Sequence, residues 1–212
     1  GVTTFNCDLT NKLEIENVFR EIILTYGGID IVISNAGVAF ECSLENLSYE
    51  LFQKSININL LSHHFISQEA LKVFKAQDFK ELNREKMLGG QLLYNISKQS
   101  INPGRNFGSY GIAKAGLLAL MKQYALETAD SNIRCNGVNA DRIKSGLLNK
   151  ELIKKRAISR GISEDEYMQG NLLKSEVFPK DVSNAFVSLA LMEKTTGGIL
   201  TVDGGNVAAM LR

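Results

Sequence analysis

The hydrophobic positions of this chain alternate between short continuous runs and runs with helical spacing. Continuous runs include "IDIVISN" (residues 29–35), "QLLYNIS" (91–97), "IRCNGVN" (133–139) and "GGILTVDGG" (197–205). An apolar run without a polar side is typical of a strand that is buried on both faces, as in a parallel sheet. A shorter run, "VTTFNC" (residues 2–7), is predicted to be a further strand at the start of the chain.

Amphipathic helices are predicted between these strands. Apolar residues recur at helical spacing after Asn11, after Leu61, from Tyr110 to Ala129 and after Pro179. Asn11 and Glu14 resemble a helix-capping pair, and Gly27 and Gly28 predict the end of that helix. Alternating strands and helices predict an α/β fold with a doubly wound, Rossmann-like parallel sheet, in one domain over residues 1–212.

The segment 142–175 interrupts this alternation. It is charged and has helical spacing, but it holds no strand of its own. We expect it to be an insertion that covers a site.

Composition narrows the function classes. The 212 residues include 24 lysines and arginines against 23 acidic residues, which gives a net charge of +1 and no electrostatic signature of a nucleic-acid or anionic-membrane partner. No apolar run is long enough to span a bilayer. The three cysteines match neither a disulfide framework nor a zinc site, and we expect no metal and a cytoplasmic location.

The neighbours His63 and His64 diverge on a helix, so we expect them to be helix-surface or packing residues.

Ligands on doubly wound sheets bind beyond the carboxyl ends of the strands. Polar or small residues that follow the predicted strands therefore become candidates: Asp8, residues 35–37, Ser97 with Lys98, and residues 139–145. Tyr110 and Lys114 are four residues apart on a predicted helix, so their side chains share one face.

These motifs, in this order, resemble the short-chain dehydrogenase/reductase family. The resemblance rests on "CDLT", "SNAG", the asparagine of "ININL", "YGIAK" and "IRCNGVNADRIKS", and it covers the whole chain. A narrower likeness, in "SKQSINPGRNFGSYGIAKAG", "GISEDEYMQGNLLKSEVFPKDVSNAF" and "TTGGILTVDGGNVAAMLR", is to the dehydrogenase module of bifunctional rhamnulose-1-phosphate aldolase/short-chain dehydrogenase proteins.

The resemblance implies an oxidoreductase that interconverts a small alcohol and a carbonyl with NAD or NADP. The substrate would be a small hydroxy-aldehyde or a sugar-derived alcohol. It implies catalytic roles for Tyr110, Lys114, Ser97 and Asn59, with the tyrosine exchanging a proton and a nearby ammonium lowering its pKa. It implies cofactor contacts by the following residues: Asp8, Leu9, Asn35, Ala36, Gly37, Tyr110, Lys114, Ile143 and Ser145. Asn35 would tie strands together more than it touches the ligand.

The residue that fills the serine role is left open by the sequence. Counting back from Tyr110 favours Ser97, whereas the strand register places Lys98 in that position, and Ser100 is a weaker candidate. We favour Ser97, with Lys98 as a substrate contact in the same pocket. The family's Pro-Gly after the sixth strand is replaced by Ala140 and Asp141.

The family's glycine-rich phosphate turn and its first βαβ portion are not found in the sequence. We therefore expect the chain to belong to a longer protein, with an aldolase domain as one candidate upstream partner, and to form a homodimer or homotetramer. An alternative from another class is a non-catalytic dinucleotide-fold remnant or oligomerisation scaffold.

Overall fold

A four-stranded parallel sheet forms the centre of the molecule. The computed structural model describes residues 1–77 and 89–206. The strands are β1 (Ile31–Ser34), β2 (Gln91–Asn95), β3 (Arg134–Ala140) and β4 (Ile199–Val202), in the spatial order β1-β2-β3-β4. All three pairings are parallel, as the continuous apolar runs predict.

Helices precede and connect the strands. They are α1 (Lys12–Tyr26), α2 (Tyr49–Ile56), α3 (Ser62–Ala76), α4 (Gly108–Glu127), α5 (Lys150–Ile158), α6 (Glu164–Met168) and α7 (Pro179–Leu191). α1 begins where the Asn11 side chain accepts a hydrogen bond from the backbone N–H of Leu13, and it ends at Gly27, whose φ of 80° favours glycine. Pro179 opens α7, and the Asp181 carboxylate accepts from the backbone N–H of Phe178 at 2.8 Å.

The core has two layers, one on each face of the sheet. Leu92 and Tyr94 of β2 pack with α1, α3 and α4, whereas Leu93 between them packs with Val138 and α7. This alternation places helices on both faces, which confirms the doubly wound, Rossmann-like fold.

The prediction of a strand at residues 2–7 is wrong. These residues are irregular and mostly exposed, and they lie beside α1, where the Thr3 hydroxyl contacts the Tyr26 hydroxyl. A strand exists only through ladder hydrogen bonds to a neighbour, and no described strand lies beside this segment. Consequently β1 is an edge strand, with Ile31 43% and Ile33 51% exposed.

The segment 142–175 covers a cavity, as predicted. It contributes α5 and α6, which share a small core of their own built from Leu148, Ile153, Ala157, Tyr167 and Met168. Side chains from this segment form one wall of the cavity described next.

Candidate active site

A cavity of about 1770 Å³ lies at the carboxyl ends of β1, β2 and β3. It is lined by residues 35–41 after β1, by residues 95–99 at and after the end of β2, and by residues 140–143 and 145–149 at and after the end of β3. Tyr110 and Lys114 of α4 complete its inner wall. The cavity is larger than the range of about 300–1,000 Å³ that a drug-sized ligand needs, so a dinucleotide and a small substrate can share it.

Lys114 is buried at the base of this wall. Its Nζ donates to the backbone carbonyl of Asn95, at the end of β2, over 2.8 Å. Burial lowers the pKa of the lysine to about 7, because the charged form loses its hydration. An ammonium has three N–H donors, so Lys114 can bind a ligand and keep its bond to Asn95.

Tyr110 lies one helical turn before Lys114 and is also buried. The Lys114 Nζ is 5.8 Å from the centre of the tyrosine ring. Burial raises the pKa of the phenol, and a hydrogen bond with the Ser97 side chain opposes the rise only in part. The expected lowering by a nearby ammonium is therefore not found in the protein alone, because desolvation of the phenolate outweighs the other effects.

Ser97 lies beside the Tyr110 phenol and caps the short 3₁₀ turn Lys98–Ser100, where its Oγ accepts from the backbone N–H of Gln99 at 3.3 Å. The Ser100 hydroxyl instead donates to the Ser97 carbonyl at 2.7 Å, and Ser100 does not line the cavity. Lys98 lines the cavity, but its Nζ lies 3.0 Å from the Asp141 carboxylate. The geometry thus brings Ser97, and not Ser100, to the tyrosine.

Asn59 lies behind the cavity in the π-helical turn Asn57–Leu61, which joins α2 to α3. Its Oδ1 accepts from the backbone N–H of Val38 at 3.0 Å, and its Nδ2 donates to the Val38 carbonyl at 2.9 Å. Nδ2 also lies within reach of the backbone carbonyl and hydroxyl of Ser55. Asn59 therefore fixes the loop after β1 that forms one wall of the cavity.

The predicted cofactor contacts fall into two groups. Asn35, Ala36, Gly37, Ile143 and Ser145 all line the cavity. The Asn95 side chain donates to the Asn35 Oδ1 at 2.6 Å, so Asn35 does tie β1 to β2.

Asp8 and Leu9 are not part of this cavity. The Asp8 side chain is exposed and accepts from the backbone N–H and the hydroxyl of Thr10. Leu9 lines a separate groove of about 760 Å³ between the N-terminal segment, α1 and β1. The two residues are displaced from the cavity because the segment that precedes them does not join the sheet.

Two features of the site were not anticipated from the sequence. The Asp141 carboxylate binds Lys98, the Arg142 Nε at 3.3 Å and the Asn206 Nδ2 at 2.7 Å, so two cations of the cavity wall share one negative charge. Arg156 of α5 stacks on Phe107 inside the cavity. His63, for which a helix-surface or a packing position was predicted, is fully buried and is a packing residue. Apart from the pair of neighbours Asp141 and Arg142, the contacts of Asp141 and Arg156 join residues distant in sequence, and local patterns give no signal for them.

Residues 1–77 and 89–206 hold no group of three or more histidine, cysteine or acidic side chains that could bind a metal ion. No helix in the same ranges is long and apolar enough to cross a membrane.

Comparison with known proteins gave consistent matches. Residues 1–206 match a family model described as enoyl-(acyl carrier protein) reductase. The chain is 32% identical to the uncharacterized oxidoreductase YuxG of Bacillus subtilis over 97% of its own length, but spans only 30% of that relative. It is 31% identical to the 3-oxoacyl-[acyl-carrier-protein] reductase FabG of Rickettsia bellii, covering 94% of this chain and 74% of that one.

Solved structures show the same fold. The sorbitol-6-phosphate 2-dehydrogenase SrlD of Erwinia amylovora superposes with a TM-score of 0.85 at 24% identity, over 98% of this chain and 79% of that chain.

Proposed function

Because this chain belongs to the short-chain dehydrogenase/reductase family of oxidoreductases, we propose that it interconverts a small alcohol and the corresponding carbonyl with NAD or NADP. The observation that carries the proposal is the shared cavity wall of Tyr110, Ser97 and Lys114, with Asn59 directly behind it. Three different segments of the chain supply these four side chains.

The residues present fit a nicotinamide cofactor. The cavity opens at the carboxyl ends of three adjacent parallel strands, where dinucleotides bind in sheets of this kind. A Cβ added to Gly37 would come within 3.1 Å of Asn59 Oδ1 and 3.8 Å of Lys114 Nζ, so the loop after β1 lies close to the lysine. Ala36, Gly37, Ile143 and Ser145 would hold the cofactor together with Lys114. The bound nicotinamide supplies the hydride acceptor or donor.

Each polar residue of the wall has a role in this proposal. The Tyr110 hydroxyl exchanges a proton with the substrate oxygen, and the Ser97 hydroxyl binds the same oxygen. Lys114 binds the cofactor and, when charged, favours the phenolate. Asn59 keeps the loop after β1 in place.

The test compares two tyrosines of α4. Removal of the acid/base hydroxyl in Tyr110→Phe is expected to lower kcat by about 100-fold or more, because general acid–base catalysis contributes ~10²–10⁴-fold. Tyr124→Phe is the control, since Tyr124 lies on the same helix, binds His64 and does not line the cavity. The readout is formation of reduced nicotinamide from a panel of small alcohols with NAD⁺ and with NADP⁺. Full activity of Tyr110→Phe would exclude the mechanism.

A non-catalytic dinucleotide-fold module is the second candidate. It is favoured by the open edge of β1 and by the position of Asp8 and Leu9 away from the cavity. Titration of NADH and NADPH fluorescence separates the two candidates, because a module of this kind gives no turnover and weak or no binding.

The finer parts of the proposal concern the substrate and the assembly. A hydroxy-aldehyde or sugar-derived substrate rests on the resemblance of three segments to the aldolase-fused dehydrogenases, and residues 207–212 of the last segment lie outside the described residues. The fused aldolase, the homodimer or homotetramer and the cytoplasmic location stay predictions.

A further inference from the structure

Cationic side chains outnumber acidic ones around the cavity. The lining includes the cations Lys98, Lys114, Arg142, Lys155, Arg156 and Arg160 and the anions Glu41, Asp141 and Glu151. The chain as a whole carries a net charge of only +1, so the excess is a local property of this wall.

Most of these cations are already bound. The Lys155 Nζ lies 2.8 Å from the Glu41 carboxylate, and Asp141 binds both Lys98 and Arg142. Lys114 donates to the Asn95 carbonyl. Within residues 1–77 and 89–206, the recorded ion pairs include no carboxylate partner for Arg156 or Arg160.

Arg156 differs from Arg160 because it is half-buried. Its guanidinium carbon lies 4.1 Å from the centre of the buried Phe107 ring, and one terminal nitrogen lies 3.5 Å from the Tyr167 hydroxyl. Its Nε is buried, with no hydrogen-bond partner among the described residues. A buried donor without a partner is costly, so the arginine has unused capacity to bind an acceptor.

The contact with Phe107 also determines the orientation of the Arg156 guanidinium. Contact with an aromatic ring fixes the plane of a guanidinium and leaves its edge free for two parallel hydrogen bonds to an oxyanion. Phe107 directly precedes α4 and is three residues before Tyr110, and both residues line the cavity with Arg156. The guanidinium is therefore held in the same chamber as the tyrosine.

We propose that Arg156 binds an oxyanion, a phosphate or a carboxylate, carried by the substrate of the reaction at Tyr110. This inference rests on the proposed function and assigns the class of its substrate: an alcohol or carbonyl that also bears a negative charge. The anion supplies the hydrogen-bond acceptor that Nε lacks among the described residues.

A purely structural role makes different predictions. Arg156 could serve only as a strut that connects α5 to Phe107 and to Tyr167 of α6. Loss of a strut would impair charged and neutral substrates alike, whereas loss of an anion site impairs charged substrates alone.

The turnover experiment uses two pairs of alcohols that differ by one charged group: sorbitol 6-phosphate with sorbitol, and 3-hydroxybutyrate with 2-butanol. Arg156→Met keeps an apolar side chain on Phe107 and removes the charge, whereas Arg156→Lys keeps the charge. Lys154→Met is the matched control, because it removes one positive charge from an exposed position of α5 outside the cavity.

In the wild type we expect at least one charged member to have the higher kcat/KM of its pair. Arg156→Met is expected to lower that preference by about 10- to 100-fold, as for the loss of a charge-assisted hydrogen-bonded pair. Arg156→Lys should restore part of it, and Lys154→Met should leave it unchanged. Equal losses for both members of a pair, or a wild type that prefers the neutral members, would overturn the proposal.

A second measurement needs no turnover. The thermal midpoint of unfolding is recorded with inorganic phosphate or with acetate, each against chloride at equal ionic strength. Stabilisation of the wild type and of Lys154→Met, but not of Arg156→Met, supports the anion site. The anion that stabilises more shows whether the site prefers a phosphate or a carboxylate. Stabilisation that is the same in all three proteins, or in none, contradicts it. Anion binding at Arg156 without any alcohol turnover would refute the proposed function and leave the anion site intact.

Discussion

At the scale of single residues, His63 shows how strongly burial controls charge in this protein. The side chain is completely buried, and its Nδ1 lies 2.6 Å from the Ser34 hydroxyl at the end of β1. Burial, with a smaller contribution from the positive charge of Lys114, lowers the pKa of the imidazole to about 3. The folded protein therefore holds this histidine neutral over the physiological pH range.

This burial should make folding stability depend on pH. The unfolded chain binds a proton near the ordinary histidine pKa of 6.5, while the folded protein resists protonation down to about 3. Stability is therefore fully present above pH ~6.5 and is lost as the pH falls, by at most about 1.4 kcal/mol per pH unit.

The measurement is urea unfolding of the wild type and of His63→Asn between about pH 7 and about pH 4. Asparagine can bind the Ser34 hydroxyl but does not titrate. The free energy of unfolding of the wild type, relative to that of the variant, should fall steadily with decreasing pH. If the free energies of unfolding of the two proteins fell in parallel with pH, protonation of His63 would not destabilise the folded protein, and the prediction would be wrong.

At the scale of secondary-structure elements, the π-helical turn between α2 and α3 sets the position of the cavity wall. The turn holds the Asn59 side chain between Ser55 of α2 and both backbone polar groups of Val38. Wide helical turns of this kind often occur at functional sites. Here the turn connects the loop after β1 with a helix that packs on α4.

Substitution at this turn should separate two neighbouring asparagines. Asn59→Leu leaves the half-buried N–H and carbonyl of Val38 without their Asn59 partner, and we expect a loss of about 2–5 kcal/mol in unfolding free energy. Asn57→Ala removes only the hydrogen bond from the Gln53 side chain, and should cost about 1 kcal/mol or less. Chemical denaturation measures both values. Similar losses in the two variants would mean that Asn59 does not support the loop.

Most elements, but not all of the site, follow from the sequence. The strands β1 to β4, the end of α1 at Gly27 and the start of α7 at Pro179 depend on neighbouring residues, and local patterns predict them. The segment 2–7 has a strand-like pattern, but a strand also needs a partner that no local pattern supplies.

The side chains of the site follow the same rule. The strand-end positions 35–37 and 97, and the shared helix face of Tyr110 and Lys114, were predicted from topology and helical spacing. The contacts Lys98–Asp141, Arg156–Phe107 and His63–Ser34 depend on tertiary packing between distant segments. The raised pKa of Tyr110 has the same origin, because burial of the phenol cannot be deduced from the order of residues.

At the scale of the whole molecule, the strands of the described sheet are unequally protected, because β1 and β4 are its edge strands. β2 and β3 each have neighbours on both sides, whereas β1 has β2 on one side and an apolar groove on the other. The inner strands are therefore protected by pairing on both sides and by both core layers. β1 is paired on one side only, and its Val32 packs against one core layer.

Amide hydrogen exchange should reveal this difference in protection between the inner strands and β1. The amides of β2 and β3 are expected to exchange only on global unfolding, while those of β1 that face the groove exchange through local fluctuations, faster by orders of magnitude. Mass spectrometry or NMR measures both sets in one sample. Equal protection would contradict an open edge, and a loss of that protection on dilution would show that a second copy covers it.

The Asp141 carboxylate has a consequence for how this protein can evolve. It holds Lys98, Arg142 and Asn206 together, so one negative charge is shared by two cationic neighbours. A single-step mutation from aspartate to asparagine would release both cations into the chamber without the introduction of any new basic residue. One substitution would therefore adapt this pocket to ligands of higher negative charge, and the reverse substitution would undo the change.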